Sequence, residues 1–157
     1  MSGTDRDGPP ARGGDSNPET DVSIVVVNYN TRKLLEDCLL SVEKHLDGVL
    51  DYELIVVDNA SKDGSPEWLT GFAQGRPRVH ALCKTENTGF SGGNNAGFRI
   101  ARGRTVLMLN SDAYLIDSSL KEAVDYLDSR PRLFSVAALL LTGTASPEPR
   151  TAISRGR

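Results

Sequence analysis

The chain alternates short apolar runs with longer stretches of helical periodicity. Ser23 to Val27 is a run dominated by Val and Ile. Such a run predicts a strand covered on both faces, as in a parallel sheet. Leu34, Leu35, Cys38, Leu39, Val42 and Leu46 then recur at helical spacing, with Thr31 placed to cap the helix. Glu53 to Val57 predicts a second strand. Ser65-Pro66 predicts the start of a second helix, a cap followed by a first-turn proline. Val79 to Cys83 reads as a third strand, and Asn94 to Arg102 as a helix closed by Gly103. Thr105 to Leu109 predicts a fourth strand. Ser119 and Glu122 form a capping box for a helix reaching about Ser129, which Pro131 ends. Phe134 to Leu141 reads as a fifth strand.

Strands alternating with helices imply right-handed crossovers. The expected fold is α/β, a Rossmann-like, mostly parallel sheet flanked by helices. Ligands of such sheets bind beyond the carboxyl ends of the strands. Residues 1–20 carry four Gly and three Pro with almost nothing apolar, so they are expected to form a disordered tail. The ordered domain is expected over residues 21–141, and an irregular Pro- and Arg-containing tail over 142–157.

Composition narrows the function. A chain of 157 residues suits one core. A net charge of -3 argues against nucleic acid as a partner, since such domains usually carry a basic excess. Cys38 and Cys83 each sit in an apolar stretch and read as buried thiols, not as part of a zinc site. So few cysteines suit a reducing cytoplasm. The longest apolar runs, such as Val136 to Leu141, fall far short of the roughly 18 residues that cross a bilayer.

Polar residues gather where the strands end: Asn28-Tyr29-Asn30, Asp58 to Gly64, Asn87 to Asn95, and Asn110-Ser111-Asp112. Asn, Asp and Gly also suit ordinary turns, yet four such loops on one sheet edge point to a site. Asp58 stands where a buried strand opens into a loop. Its carboxylate is suited to take the N3–H of uracil or thymine, or else to cap the turn. Tyr29 would lie against base or ribose, or in the core. The Gly-rich segment after strand three matches neither common phosphate-loop pattern. It does place small residues before a helix, whose N-terminus favours an anion such as a diphosphate; the alternative is a plain turn. Asp112 projects from the end of a buried strand. It is a candidate ligand for Mg²⁺ or Mn²⁺, with Asn110 assisting, or a turn cap. His45 and His80 lie among core positions, and no nucleophile–base arrangement is evident.

These segments, Val22 to Asn30, Val56 to Ser65, Asn87 to Gly97 and Leu109 to Asp112, resemble family 2 glycosyltransferases. The resemblance covers about residues 21–141 in the family's order and spacing, and is nearest to rhamnosyltransferase-like members that build cell-surface polysaccharides. It implies a GT-A fold and inverting transfer from a nucleotide-diphosphate sugar. It implies that Asn28, Tyr29, Asn30 and Asn59 line the nucleotide and that Asp58 reads a UDP- or dTDP-type base. Asn87, Gly89, Phe90, Gly93 and Asn94 would shape the diphosphate and sugar side. Asp112 matches the last acid of the family's Asp-x-Asp metal motif, with Asn110 in the first position. The implied partners are the donor and a saccharide or lipid-linked saccharide acceptor. The implied location is the cytoplasm, free or peripheral on the inner face of the plasma membrane. Relatives continue into an acceptor-binding half that carries the general base. Here Thr142 to Arg157 lacks that pattern and Glu148 is its only acid, so the chain reads as truncated, with no catalytic base assigned. The rival readings are a non-catalytic nucleotide-sugar-binding module or gene remnant, and a nucleotidyltransferase. The last would carry a Gly-rich, basic loop after strand one, where this chain has Asn28-Tyr29-Asn30-Thr31.

Overall fold

A computed structural model describes residues 20–137. Four strands, β1 (Val22–Asn28), β2 (Tyr52–Asp58), β3 (Val79–Cys83) and β4 (Thr105–Asn110), form one parallel sheet in the order β3-β2-β1-β4. Four helices connect or follow them: α1 (Arg32–Leu46), α2 (Ser65–Ala73), α3 (Gly89–Phe98) and α4 (Leu120–Asp128).

Every residue of β1 and β2 is buried, which explains the unbroken apolar runs. Side chains alternate between two cores. Ile24, Val26, Leu54 and Val56 pack on one face with Leu35, Leu39 and Val42 of α1, Leu69 and Phe72 of α2, and Val124 of α4. Val25, Val27, Ile55 and Val57 form the other core, covered by Ala96 of α3. The chain adds strands outward from β1 to β3, then crosses back to place β4 on the far side of β1. The carboxyl ends of β1 and β4 therefore flank the topological switch point, where open α/β sheets bind ligands.

Several sequence expectations shift. α3 begins at Gly89, ahead of the expected Asn94, because Gly93 and Gly97 let it lie close on β1. A Cβ on Gly93 would meet Val27 Cγ1 at 2.6 Å, and one on Gly97 would meet Val25 Cγ1 at 2.5 Å. Gly103 does not close α3. It is buried beside β1, where a Cβ would lie 2.3 Å from the Ser23 backbone nitrogen. Thr31 and Ser119 make no side-chain capping bond. At α1 Asp63 takes over: its Oδ2 accepts from the Arg32 N–H at 2.8 Å and its Oδ1 from the Ser65 N–H of α2 at 3.1 Å, so one carboxylate serves the first residues of two helices. Residues 134–137 belong to no strand and Phe134 is 97% exposed, so the expected fifth strand is not formed there; residues 138–141 lie outside the described residues. So do the expected tails, apart from Thr20. Cys38 is buried as expected, whereas Cys83 is exposed. Among the described residues, no helix is long and apolar enough to cross a membrane.

Candidate functional site

A cavity of about 490 Å³ opens at the β1/β4 switch point, lined by Val27, Tyr29, Thr31, Leu34, Asn59, Asn87, Gly89, Phe90, Asn110, Ser111 and Asp112. Its size fits the usual range for small-ligand sites. Tyr29, 50% exposed, and Phe90, 59% exposed, give it aromatic walls. A cavity of about 570 Å³ lies against α1 beside Leu40, Lys44, Tyr114 and Ile116. It holds none of the strand-end residues, so size alone does not mark the site.

The structure thus brings together seven of the sequence candidates: Tyr29, Asn59, Asn87, Gly89, Phe90, Asn110 and Asp112. The other five stand behind or beside the cavity. Asn28 and Asp58 are both 0% exposed. The Asn28 amide donates to Asp58 Oδ1 at 2.7 Å and to Ser61 Oγ at 3.2 Å. Asp58 Oδ2 accepts from the Ser61 N–H at 2.9 Å. As placed, Asp58 braces the loop after β2 and presents no exposed oxygen to the cavity. Asn30 adopts a left-handed conformation, φ 55°, and its Oδ1 accepts from the Lys62 N–H at 2.7 Å, tying the β1 and β2 loops together. Gly93 serves helix–sheet packing. Asn94 donates to the Phe90 carbonyl at 3.0 Å, within α3.

The wall nearest α3 is built by amides. Asn59 Nδ2 donates to Asn87 Oδ1 at 2.7 Å and to the Gly89 carbonyl at 3.0 Å, and Asn59 Oδ1 accepts from the Thr88 N–H at 3.1 Å. Asn87 Oδ1 also accepts from the Gly89 N–H at 2.8 Å. These bonds fix the entry to α3, whose N-terminus carries partial positive charge toward the cavity. Thr31 and Ser111 are site residues that sequence reasoning missed. The position of Thr31 predicts a helix cap, and nothing in the sequence singles out Ser111 between Asn110 and Asp112.

Asp112 is exposed and, among the described residues, is the one carboxylate lining the cavity. Among the described residues no three His, Cys, Asp or Glu cluster as a metal cage. The set Asp112 carboxylate, Asn110 amide and Ser111 hydroxyl is all-oxygen if the amide presents its carbonyl. One carboxylate plus ligand phosphates is a usual way to hold Mg²⁺. The donor set therefore fits a hard divalent cation bound together with a diphosphate. Beneath it, burial pushes the Cys38 thiol up to about 12, and the charge of Asp112 adds to the rise. That thiol donates to the Asn110 carbonyl at 3.6 Å, under the same strand end.

Comparison with known proteins decides the lineage. The sequence model of glycosyl transferase family 2 matches residues 23–153. The chain belongs to that family. It is 30% identical over 116 residues to a putative teichuronic acid biosynthesis glycosyltransferase, TuaG, of Bacillus subtilis, covering 73% of this chain and 44% of the relative. It is 33% identical over 100 residues to a poly(ribitol-phosphate) beta-glucosyltransferase of Bacillus spizizenii, covering 63% of this chain and 16% of that one. Among solved structures, the mannosyltransferase PcManGT from Pyrobaculum calidifontis, in complex with GDP-Man and Mn²⁺, superposes with a TM-score of 0.64 at 28% identity. The match covers 73% of this chain and 34% of PcManGT. The parallel sheet flanked by helices is that of GT-A glycosyltransferases. The chain spans less than half the length of each of these proteins. Family membership separates the glycosyltransferase reading from the nucleotidyltransferase one, in favour of the first.

Proposed function

We propose that this domain binds the nucleotide-diphosphate sugar of an inverting glycosyltransferase acting in cell-surface polysaccharide synthesis. The observation that carries the reading is the cavity at the β1/β4 switch point, where Asp112, aromatic walls and the N-terminus of α3 converge. The base and ribose would lie along Tyr29, with Asp58 behind them. A donor of the uridine or thymidine series would suit the acceptor-only carboxylate of Asp58 once binding uncovers it toward the base. The diphosphate would lie between the α3 N-terminus and Asp112, and the sugar toward Phe90 and Asn87. The rhamnosyltransferase-like grouping rests on Asn110 standing before Ser111-Asp112.

Asp112, with Asn110, would hold Mg²⁺ or Mn²⁺ against the diphosphate. When bound, the cation offsets charge on the departing nucleoside diphosphate. The chain's own part is positional. The Asn59–Asn87 bonds hold the α3 entry rigid, so the helix dipole need not reorganise as charge develops. The acceptor, a free or lipid-linked saccharide in this proposal, would be deprotonated by a base to which no described residue is assigned. A cytoplasmic location, free or peripheral on the membrane, completes the reading.

Calorimetry with UDP, dTDP and Mn²⁺ on the full chain tests it. The expected result is Mn²⁺-dependent nucleotide binding that Asp112→Asn abolishes. Equal metal-dependent binding by both proteins removes the cation from Asp112. Failure of the parent chain to bind any nucleoside diphosphate overturns the donor-site reading.

A further inference from the structure

A run of hydrogen bonds crosses under the cavity floor from Asp58 to Ser111, and its polarity can be worked out. A carboxylate accepts and does not donate, so the Asn28 group facing Asp58 Oδ1 at 2.7 Å is the amide nitrogen. The second hydrogen of that nitrogen goes to Ser61 Oγ at 3.2 Å. The Asn28 oxygen must then accept, and Thr31 Oγ1 donates to it at 2.6 Å. Thr31 has one hydroxyl hydrogen, now used. Toward Ser111 Oγ, 3.0 Å away, Thr31 is therefore the acceptor and Ser111 the donor. The Ser111 hydrogen is thus taken up by Thr31, so toward a ligand in the cavity that both residues line Ser111 has only lone pairs to offer.

We propose that Thr31 makes Ser111 an acceptor-only group in the donor cavity, selecting a ligand O–H at that point. Ser111 is the residue that touches the ligand; Thr31 is a positioning residue that acts through it. The O–H belongs either to the ribose of the nucleotide or to water on the bound cation. The inference rests on the donor-site reading above. It goes beyond that reading by naming a selective contact and the group that sets its polarity.

The test is calorimetry of UDP, 2′-deoxy-UDP and 3′-deoxy-UDP with Mn²⁺, on the full chain and on Ser111→Ala, Thr31→Val, Thr31→Ser and the Ser111→Ala/Thr31→Val double variant. Thermal melts confirm that each variant is folded. Ser111→Ala is expected to weaken UDP binding about 3- to 10-fold, the scale of one neutral hydrogen bond. Thr31→Val is expected to weaken it as well, Thr31→Ser to restore it, and the double variant to bind no worse than Ser111→Ala. A Ser111→Ala penalty that vanishes on one deoxy nucleotide assigns the O–H to the ribose. A penalty that persists on both assigns it to cation-bound water. Either pattern supports the proposal. Additive losses in the double variant, no rescue by Thr31→Ser, or UDP binding unchanged in Ser111→Ala would overturn it while leaving the donor site standing. No UDP binding by the parent chain would overturn both.

Discussion

Asn28 and Asp58 stand thirty positions apart in sequence, and the amide of the first donates to the carboxylate of the second at 2.7 Å. The two residues are also register partners at the ends of β1 and β2. The bond is fully enclosed, so it fixes how two site-bearing loops leave the sheet. Removing Asn28 would leave a buried carboxylate short of a donor. Asn28→Ala is expected to destabilise the chain by about 1–3 kcal/mol, the cost of an unsatisfied buried polar group. Urea denaturation measures it; a loss under about 0.5 kcal/mol, within the ordinary range for surface changes, would show that water or a neighbour replaces the amide.

The same enclosure sharpens the question of base choice. Asp58 uses one lone pair on each oxygen for Asn28 and Ser61, which leaves acceptor capacity for the N3–H of uracil or thymine. Its 0% exposure means that binding must uncover it. UDP and dTDP are expected to bind more tightly than CDP, and Asp58→Asn to flatten the preference. A charged hydrogen bond of roughly 1.5–3 kcal/mol sets the size of the effect. If the variant folds and keeps the preference, Asp58 is a brace alone and another group reads the base.

Two glycines should respond in opposite directions to the same substitution. A Cβ at Gly103 would lie 2.3 Å from the Ser23 nitrogen and 2.7 Å from the Val22 carbonyl carbon. Both are backbone atoms of β1, and Ser23 is itself held by Glu53 across a 2.5 Å hydrogen bond. Gly103→Ala is expected to cost about 1–3 kcal/mol as overpacking. At Gly71, inside α2, a Cβ meets nothing within 4 Å. Gly71→Ala is expected to stabilise by roughly 0.5–1 kcal/mol, since alanine loses less entropy in a helix. Thermal melts of both variants check the contrast.

The strand and helix order was legible because β1 and β2 each hold an apolar run, Ile24 to Val27 and Leu54 to Val57, and α1 repeats its core residues at helical spacing. The strand-end clustering followed from that order. The start of α3 was not legible: glycine argues against a helix by propensity, whereas Gly93 and Gly97 are helical here because β1 lies too close for a side chain. The division between cavity-lining and supporting residues was also hidden. Asn28 and Asp58 have the chemistry of ligand contacts, and only burial shows that they face each other. Thr31 has the position of a cap, but its hydroxyl is turned to Asn28 and Ser111, and Asp63, distant in sequence, takes the Arg32 N–H instead.

Asp63 provides the last prediction. Burial raises its carboxyl, but hydrogen bonds from the Ser65 side chain and from the backbone of Arg32 and Ser65 outweigh that and hold it below the ordinary 3.8. A carboxyl lowered by folding contributes stability that is fully present above its unfolded value. That contribution is lost as pH falls through the lower folded value. The loss therefore begins near pH 3.8 and is complete below the folded value. Asp63→Asn keeps one oxygen and loses the second acceptor, so it can serve α1 or α2 but not both. Melts from pH 7 down to pH 2.5 should show the parent chain more stable than Asp63→Asn at neutral pH, with the gap closing below pH 3.8. A gap that stays constant across that range would mean that the variant suffers from altered shape, and that the charge on Asp63 contributes nothing to joining the two helix starts.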